Sequence, residues 1–372
     1  MGLALRTRLL VVAGVVALGS QSYALTWSMR EVVVPGESQL VFSGINNAGQ
    51  ISAEGWGTAN IYRVNTNGLV ETATPSVHQH TSVSSGGINE AGDVVVYGNP
   101  IPGSGRTKVG YWTPGVGMTD LLVQDNGQNY WFESFAMNNA HTAVGWAEWF
   151  GNGGTGGTGN AIRYSPTSSA LLDPGYWDGY NLARDIDEAG SIVGCVNFNP
   201  IRWNPDGSYT GLALAGHYGV ACSINSSGVI SGILSNSTRR YLAIWNSSGQ
   251  LIHKIDIGVR SVVPHPVGEA SYINDNGEVV VTGVVNNSAR QFFWSQSTGL
   301  VDFTDSITNR NGFNLTVIGI NNRREIICNG YLGTNYKYNL LLTPVPEPSE
   351  LIVLGVGLVG VALRQRRRKR IA

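Results

Sequence analysis

The run Ile273-Asn274-Asp275-Asn276-Gly277, leading into the β-branched stretch Val279 to Val284, decides the fold because it recurs. The tag is an apolar residue, Asn or Asp, two variable residues and usually Gly. It returns as Ile45-Asn46-Asn47-Ala48-Gly49, Ile88-Asn89-Glu90-Ala91-Gly92 and Met137-Asn138-Asn139-Ala140-His141. Three further copies are Ile186-Asp187-Glu188-Ala189-Gly190, Ile224-Asn225-Ser226-Ser227-Gly228 and Ile320-Asn321-Asn322-Arg323-Arg324. The seven copies lie 43, 49, 49, 38, 49 and 47 residues apart. An Asn or Asp opening a type I turn can accept a backbone hydrogen bond two residues on. A following Gly supplies the left-handed residue that closes a tight hairpin. His141 and Arg324 stand where the other copies have Gly. His tolerates that conformation better than Arg, so the seventh turn is the one expected to be irregular.

A β-branched strand follows each tag: Ile51 to Trp56, Val94 to Gly98, Ala143 to Ala147, Ile192 to Val196, Val229 to Leu234, Val279 to Val284 and Ile326 to Tyr331. Each carries a glycine (Gly55, Gly98, Gly145, Gly194, Gly232, Gly283, Gly330) an even number of residues after the tag's apolar residue. A period of two puts all seven on one face, where close approach of neighbouring sheets is expected. A third strand ends in an aromatic residue (Tyr62, Trp112, Tyr164, Trp203, Trp245, Trp294), and a fourth follows, as in Leu251 to Ile255. Four short antiparallel strands per unit of roughly 46 residues is the pattern of a β-propeller blade. The seventh unit stops after its third strand, Asn339 to Thr343, whereas an orphan strand, Thr26 to Val34, precedes the first tag. The surplus can complete the shortage and leave no open edge. The expected fold is therefore all-β, a seven-bladed β-propeller over residues 25–344 closed by the N-terminal strand. A β-solenoid, which stacks the same repeats without closure, is the alternative. The repeats also resemble the HAF-type extracellular repeat in their Ile-Asn-x-x-Gly turn and Trp-ended strand, although the His-Ala-Phe tripeptide is absent.

The two ends read as addresses. Residues 1–24 combine Arg6 and Arg8, an apolar run from Leu9 to Leu18 and Ser22-Tyr23-Ala24, the organisation of a signal peptide cleaved after Ala24. At the other end, Leu351 to Leu363 is uncharged and apolar, and Arg364 to Arg370 is basic. A transmembrane helix is expected at about 350–364, with membrane contact through 351–363 and a basic tail over 364–370 that stays cytoplasmic. Thirteen helical residues rise only about 20 Å, short of the ~30 Å hydrocarbon core unless flanking residues contribute. Just before it come Val345, Pro346, Glu347 and Pro348. This motif, a Gly-containing apolar segment and a terminal arginine cluster, in that order, resembles the PEP-CTERM sorting signal over residues 345–372. The resemblance implies export by a Gram-negative bacterium that makes exopolysaccharide. It also implies an inner-membrane tethered intermediate, processing by exosortase, and final residence at the cell surface or in the extracellular matrix, a biofilm setting.

Only 13% of the 372 residues are charged and 49 are Gly, which excludes a coiled coil or helical array and favours many turns. Setting aside the eight basic residues of the two ends, with Glu347 and Glu350, leaves 16 basic against 23 acidic residues in the body. That balance gives no reason to expect nucleic acid.

Candidate sites are sparse. Asp187-Glu188-Ala189-Gly190 and Asn274-Asp275-Asn276-Gly277 hint at calcium loops but have no downstream bidentate Glu. His78 and His80 lack further zinc ligands, so no metal and no cofactor are expected. Cys195, Cys222 and Cys328 allow one disulfide in an oxidising compartment, with Cys195–Cys222 conceivable and buried free thiols the alternative. Gly151 to Gly159 has no Gly-Lys-Ser/Thr ending and reads as an excursion between strands. Aromatic residues gather in the third and fourth units, where Trp131, Trp146, Trp149, Tyr176 and Trp177 could stack on sugar rings, or could simply pack between blades. No catalytic motif stands out. The expectation is a non-enzymatic surface or matrix protein that binds polysaccharide, with export machinery and exosortase as transient partners. A carbohydrate-active enzyme, glycosidase or lyase, is the alternative.

Overall fold

The computed structural model describes residues 26–345 except 38, 56–57, 59, 66, 74–81, 100–107, 122–129, 150–158, 173–179, 260–269, 287, 309–313 and 333–334. The expected signal peptide and the C-terminal helix and basic tail lie outside the described residues. Among the described residues no helix is long and apolar enough to cross a membrane.

The fold is all-β and propeller-like. The chain opens with β1 (Trp27–Glu31) and then builds sets of four antiparallel strands. The first set is β2 (Leu40–Ile45), β3 (Gln50–Gly55), β4 (Ile61–Asn65) and β5 (Val70–Ala73). The second is β6 (Ser82–Ile88), β7 (Val94–Asn99), β8 (Lys108–Thr113) and β9 (Gly117–Asp120). Next come β10 (Tyr130–Met137), β11 (Ala143–Trp149), β12 (Gly159–Tyr164) and β13 (Ser169–Leu171), then β14 (Leu182–Ile186), β15 (Ile192–Val196), β16 (Asn199–Trp203) and β17 (Tyr209–Gly211). The fifth set is β18 (Tyr218–Ile224), β19 (Ile230–Ser235), β20 (Arg239–Trp245) and β21 (Leu251–Val259). The sixth is β22 (Ser271–Ile273), β23 (Val279–Val285), β24 (Ser288–Ser295) and β25 (Gly299–Asp302). These two join as one sheet through the parallel pair Gly258↔Val284. After a short 3-10 turn, β26 (Ile307–Thr308), β27 (Asn314–Ile320), β28 (Ile326–Leu332) and β29 (Asn335–Pro344) form the last sheet with β1, in the order β26-β1-β29-β28-β27. No sheet closes on itself.

The first strand of the body is thus held in the last sheet. Trp27 pairs with Pro344 and Glu31 with Leu340. Trp27 is fully buried, 4.8 Å from the Phe303 ring and 5.7 Å from that of Phe293. Its indole N–H donates to the Arg324 carbonyl.

The tags are hairpin turns in all seven units. In each, the Asn or Asp N–H donates to the carbonyl four residues on, as Asn274 N does to Glu278 O. Its side-chain oxygen accepts the N–H of that same residue: Gln50, Asp93, Thr142, Ser191, Val229, Glu278 and Glu325. The acceptor is therefore served from four residues on. The bond from two residues on appears only as an addition, at Ser227 and Arg323. The seventh turn is not irregular. Arg324 adopts φ 59° and its N–H reaches Asn321 O at 3.0 Å, as the glycine turns do. The strain of that conformation, ~1–2 kcal/mol, is offset across the unit boundary, where the Arg324 guanidinium meets Glu278 Oε1 at 2.7 Å. His141, at φ 55°, does the same with Asp93 Oδ2 at 2.8 Å and stacks on Tyr111. Asp93 and Glu278 occupy the same place in their turns.

The strand glycines differ from expectation in what they avoid. A Cβ on Gly145, Gly194 or Gly232 would collide with the carbonyl of Glu133, Leu182 or Val220 on the first strand of its own sheet. Only at Gly283 is the obstacle the last strand of the preceding unit, at Ile257 O. The reason is a bulge in the first strand directly opposite, described below, which pushes backbone over the glycine.

The units are stitched together at the tags. Asn46 Nδ2 donates to Asn89 O (3.0 Å), Asn89 to Asn138 O (3.4 Å) and Asn138 to Asp187 O (3.2 Å). Asn225 then donates to Asn274 O and Asn274 to Asn321 O, both at 3.0 Å, and Asn321 donates to Asn46 O at 3.3 Å. The last bond returns to the first turn. The single gap follows Asp187, whose carboxylate has no N–H to give.

Replacing Asn321 by Asp removes the donor to Asn46 O and sets a second carboxylate against Glu325. Urea unfolding should show a loss of about 1–3 kcal/mol, whereas Asn204→Asp, in an exposed outer turn, should change stability far less.

Candidate functional site

In six units the strand before the tag slips register two residues ahead of the tag's apolar residue, between Phe42/Gly44, Ser85/Gly87, Ser134/Ala136, Ala183/Asp185, Ala221/Ser223 and Val317/Gly319. Such a bulge bends the strand and re-aims side chains. β22, only three residues long, has no slip. These strands surround a cavity of about 260 Å³ to which all seven units contribute. The first and second units offer little bulk there, Ser43 and Gly87. The third, fourth and sixth offer Phe135, Arg184 and Tyr272, and the fifth and seventh Cys222 and Ile318.

The Arg184 guanidinium lies 5.3 Å from the centre of the Phe135 ring, a geometry in which the ring face attracts the cation. Enclosure by protein pushes the Tyr272 hydroxyl up to about 12, with the Arg184 charge working in the other direction. Asp185, beside Arg184, is pushed up to about 6 by enclosure, against the hydrogen bonds it accepts. Those bonds define its role. Oδ2 accepts Ser223 Oγ (2.8 Å) and Ile224 N (2.9 Å) of the next unit, and Oδ1 accepts Ile186 N. Asp185 therefore bridges the boundary that Asp187 leaves unstitched, and both its oxygens are committed to structural donors.

One end of the cavity is rimmed by residues that follow a tag Asn or Asp: Asn47, Glu90, Glu188, Ser226 and Asp275. Glu90 accepts Asn47 N, Glu188 accepts Asn139 N, and Asp275 accepts Ser226 N. Asn139, Asn322 and Asn47 accept the N–H of Ala91, Asp275 and Asn322. Burial raises the Glu90 carboxyl, helped by Asp275 and Glu188. Burial acts the same way on Asp275, but hydrogen bonds from Ser226, Asn322 and Asn47 outweigh it and hold that carboxyl below its usual range. Among the described residues no group of three His, Cys, Asp or Glu is placed to hold a metal ion.

The sequence-derived aromatic candidates do not converge on this cavity. Trp131 lies in β10 and Trp146 and Trp149 in β11, in strands and not in loops, with Tyr130↔Trp149 and Trp131↔Glu148 paired at the end away from the tags. Trp146 packs against the cluster containing Leu182 and Cys195, its indole edge over Gly159. Trp146 is half-buried, and this packing takes up part of its ring. Tyr176, Trp177, His78 and His80 lie outside the described residues, as do Ala24, Pro346, Glu347 and Pro348. Val345 is described, and its N–H donates to Thr26 O at 3.0 Å. The three cysteines are free and buried. Sequence reading missed Arg184, Phe135 and Tyr272. Their common signal is position, one or two residues before the tag's apolar residue.

Residues 344–368 match the family model described as the PEP-CTERM protein-sorting motif, which supports an exported protein sorted by exosortase through a membrane-anchored intermediate. No curated protein sequence matches the chain. Among solved structures it resembles a streptogramin B lyase at 10% identity and TM-score 0.54, over 86% of this chain and 98% of that one. A catalytically inactive virginiamycin B lyase from Staphylococcus aureus with quinupristin gives the same identity and TM-score, over 86% and 100%. The β-propeller domain of the Trilobed protease from Pyrococcus furiosus is 11% identical with TM-score 0.47, over 82% and 96%. At these identities the likeness concerns fold alone.

Because Asp185 holds its proton more tightly folded than unfolded, its contribution to stability is complete below about pH 4 and falls as pH rises through about 6. Asp185→Asn should abolish that component. The difference in urea midpoint between wild type and variant should change between pH 4.5 and 7, and a constant difference would refute the assignment.

Proposed function

We propose that the body is a seven-bladed β-propeller whose closure is the N-terminal strand, and that it serves as a non-enzymatic cell-surface or matrix component of a Gram-negative bacterium, binding exopolysaccharide. The observation that carries the reading is the sorting motif over residues 344–368, directly following the last strand of the body. Closure is supported by the return of the Asn321 side chain to Asn46 O and by the pairing of β1 with β29. Residues 351–363 tether the precursor to the inner membrane, and processing near Pro346-Glu347-Pro348 releases it. Polymer binding rests on Trp131 and Trp149, which stand on neighbouring strands at the end away from the tags, with Tyr176 and Trp177 as further candidates from the sequence.

One observation favours a second reading, a carbohydrate-active enzyme. Arg184, Tyr272 and Asp185 line one cavity. The commitment of both Asp185 oxygens to structural donors argues against it as an acid or base, since such a group must reach the reacting atom.

Incubating the purified exported protein with the host's exopolysaccharide separates the two. Retention without release of reducing ends or unsaturated sugars is expected, and Trp149→Ala should weaken retention by roughly tenfold or more, the scale of ~1.5 kcal/mol for one lost stacking contact. Product release would reverse the ranking. Deleting residues 345–372 should move the protein from membranes to the medium, and an unchanged distribution would remove the sorting reading.

A further inference from the structure

The hairpin that joins β15 to β16 carries a side chain that its own backbone does not favour. Val196 pairs with Asn199, so the connection is the two residues Asn197 and Phe198, at φ 49° and 60°. Both lie in the left-handed region, which a two-residue turn demands and Asn-Gly meets at least cost. The sixth unit makes the same connection between Val285 and Ser288. The sequence there is Asn286-Asn287, with Asn286 at φ 50°. Asn enters this region readily, whereas a bulky residue is an outlier in it.

Stability does not explain the choice. The Phe198 ring lies parallel to that of Tyr180, with planes 2° apart and centres 5.1 Å apart. One such stack returns about as much as the left-handed backbone costs, so Gly or Asn would serve the turn as well. The ring is not used for burial either. Phe198 remains 38% exposed, at the end of the unit away from the tags. Leu69 and Val116 are more exposed, but neither has a left-handed backbone, and a lone apolar side chain on a surface needs no explanation. Backbone strain kept at an exposed ring is the mark of a working site. The hairpin is also pinned. Asn197 N donates to Oδ1 of the buried Asn181 at 2.9 Å, Asn199 Nδ2 donates to Asn197 O at 3.1 Å, and Phe198 O accepts Gly219 N of the fifth unit. A ring held in this way is set before anything meets it, which lowers the ordering cost of binding.

We infer that the Phe198 ring, backed by Tyr180, is a stacking platform for one neutral pyranose ring of a polysaccharide, whose apolar face lies on the exposed aromatic face. The inference rests on the polysaccharide-binding reading above and adds a residue of the fourth unit to it. The class of sugar follows from the surroundings. The hairpin Val196–Asn199 has no charged side chain, and the exposed Asn197 and Asn199 supply uncharged hydrogen-bonding groups beside the ring. A flat apolar surface edged by amides suits a sugar that is apolar on one face and hydroxylated at its rim.

The test measures two quantities, retention on immobilised exopolysaccharide purified from the producing bacterium and the midpoint of urea unfolding, for the exported protein and its Phe198→Gly and Phe198→Tyr variants. Phe198→Gly should lose retention roughly tenfold, the scale of one stacking contact. Its urea midpoint should be unchanged or higher, because glycine relieves the left-handed strain. Phe198→Tyr keeps the ring and should keep the retention. Unchanged retention in Phe198→Gly would overturn the platform, as would an equal loss in Phe198→Tyr. A lower midpoint in Phe198→Gly would also overturn it, since the ring would then be packing. If the unsubstituted protein is not retained at all, the polysaccharide reading itself falls and the platform falls with it.

Discussion

The structure depends on one side chain doing two things at once. At the turn that joins the first strand of each unit to the second, backbone groups crowd toward the middle of the molecule, where unpaired donors and acceptors are costly. An Asn there accepts an N–H of its own turn with Oδ1 and donates Nδ2 to a carbonyl of the next turn. Local turn and neighbour contact are thus one interaction, worth on the order of 1 kcal/mol per bond. Asp can do only the first half. At Asp187 the second half is lost, and Asp185, two residues earlier, reaches across to Ser223 and Ile224 in its place.

The same crowding shapes the cavity. A first strand with one extra residue opposite its partner must bend, and the extra residue is turned out of the sheet. Six units do this, which brings Ser43, Phe135, Arg184, Cys222 and Ile318 into one ring of positions. Bulk is distributed unevenly, with Gly and Ser on one side and Phe, Arg and Tyr on the other. A bulge repeated in six units therefore lines a cavity with no symmetry in its chemistry.

What was legible in the sequence follows from range. The tag, the strand that follows it and, in five of the six units named, the aromatic residue at or next to the end of the third strand are local patterns, and the structure has them; Tyr62 instead stands second in its strand. The surplus strand at the start and the shortage at the end could be matched by counting, and Trp27 pairs with Pro344. The glycines stand on the strands the sequence indicates, and Gly283 does meet the neighbouring unit, but at Gly145, Gly194 and Gly232 the obstacle is the bulged first strand of the same sheet, whose register only the pairing reveals. Arg324 was misjudged for a similar reason: its cost is local, whereas its compensation at Glu278 comes from 46 residues away. Trp146 reads as a binding aromatic in sequence, and in space it also packs, over Gly159 and against the cluster around Leu182. Arg184 and Tyr272 carried no motif at all.

The pairing of β1 with β29 also constrains when the body can form. Trp27 and Pro344 are separated by nearly the whole folded chain, and contacts of such separation are made late because loop closure must precede them. β1 is synthesised first and its partner last, so the last sheet cannot be completed until everything through Val345 has been made. The parallel pairing of Trp27 with Ile307 and Ser28 with Thr308 covers the other edge of β1 at its first two residues, which shields that stretch from a partner outside its own chain. The residue that ends the pairing, Val345, is also the first residue of Val-Pro-Glu-Pro. A sheet that finishes at the start of the motif makes the folded state of the body and the setting of the motif a single event, since the hydrogen bond from Val345 to Thr26 exists only once the strand at the beginning of the chain has found the strand at its end.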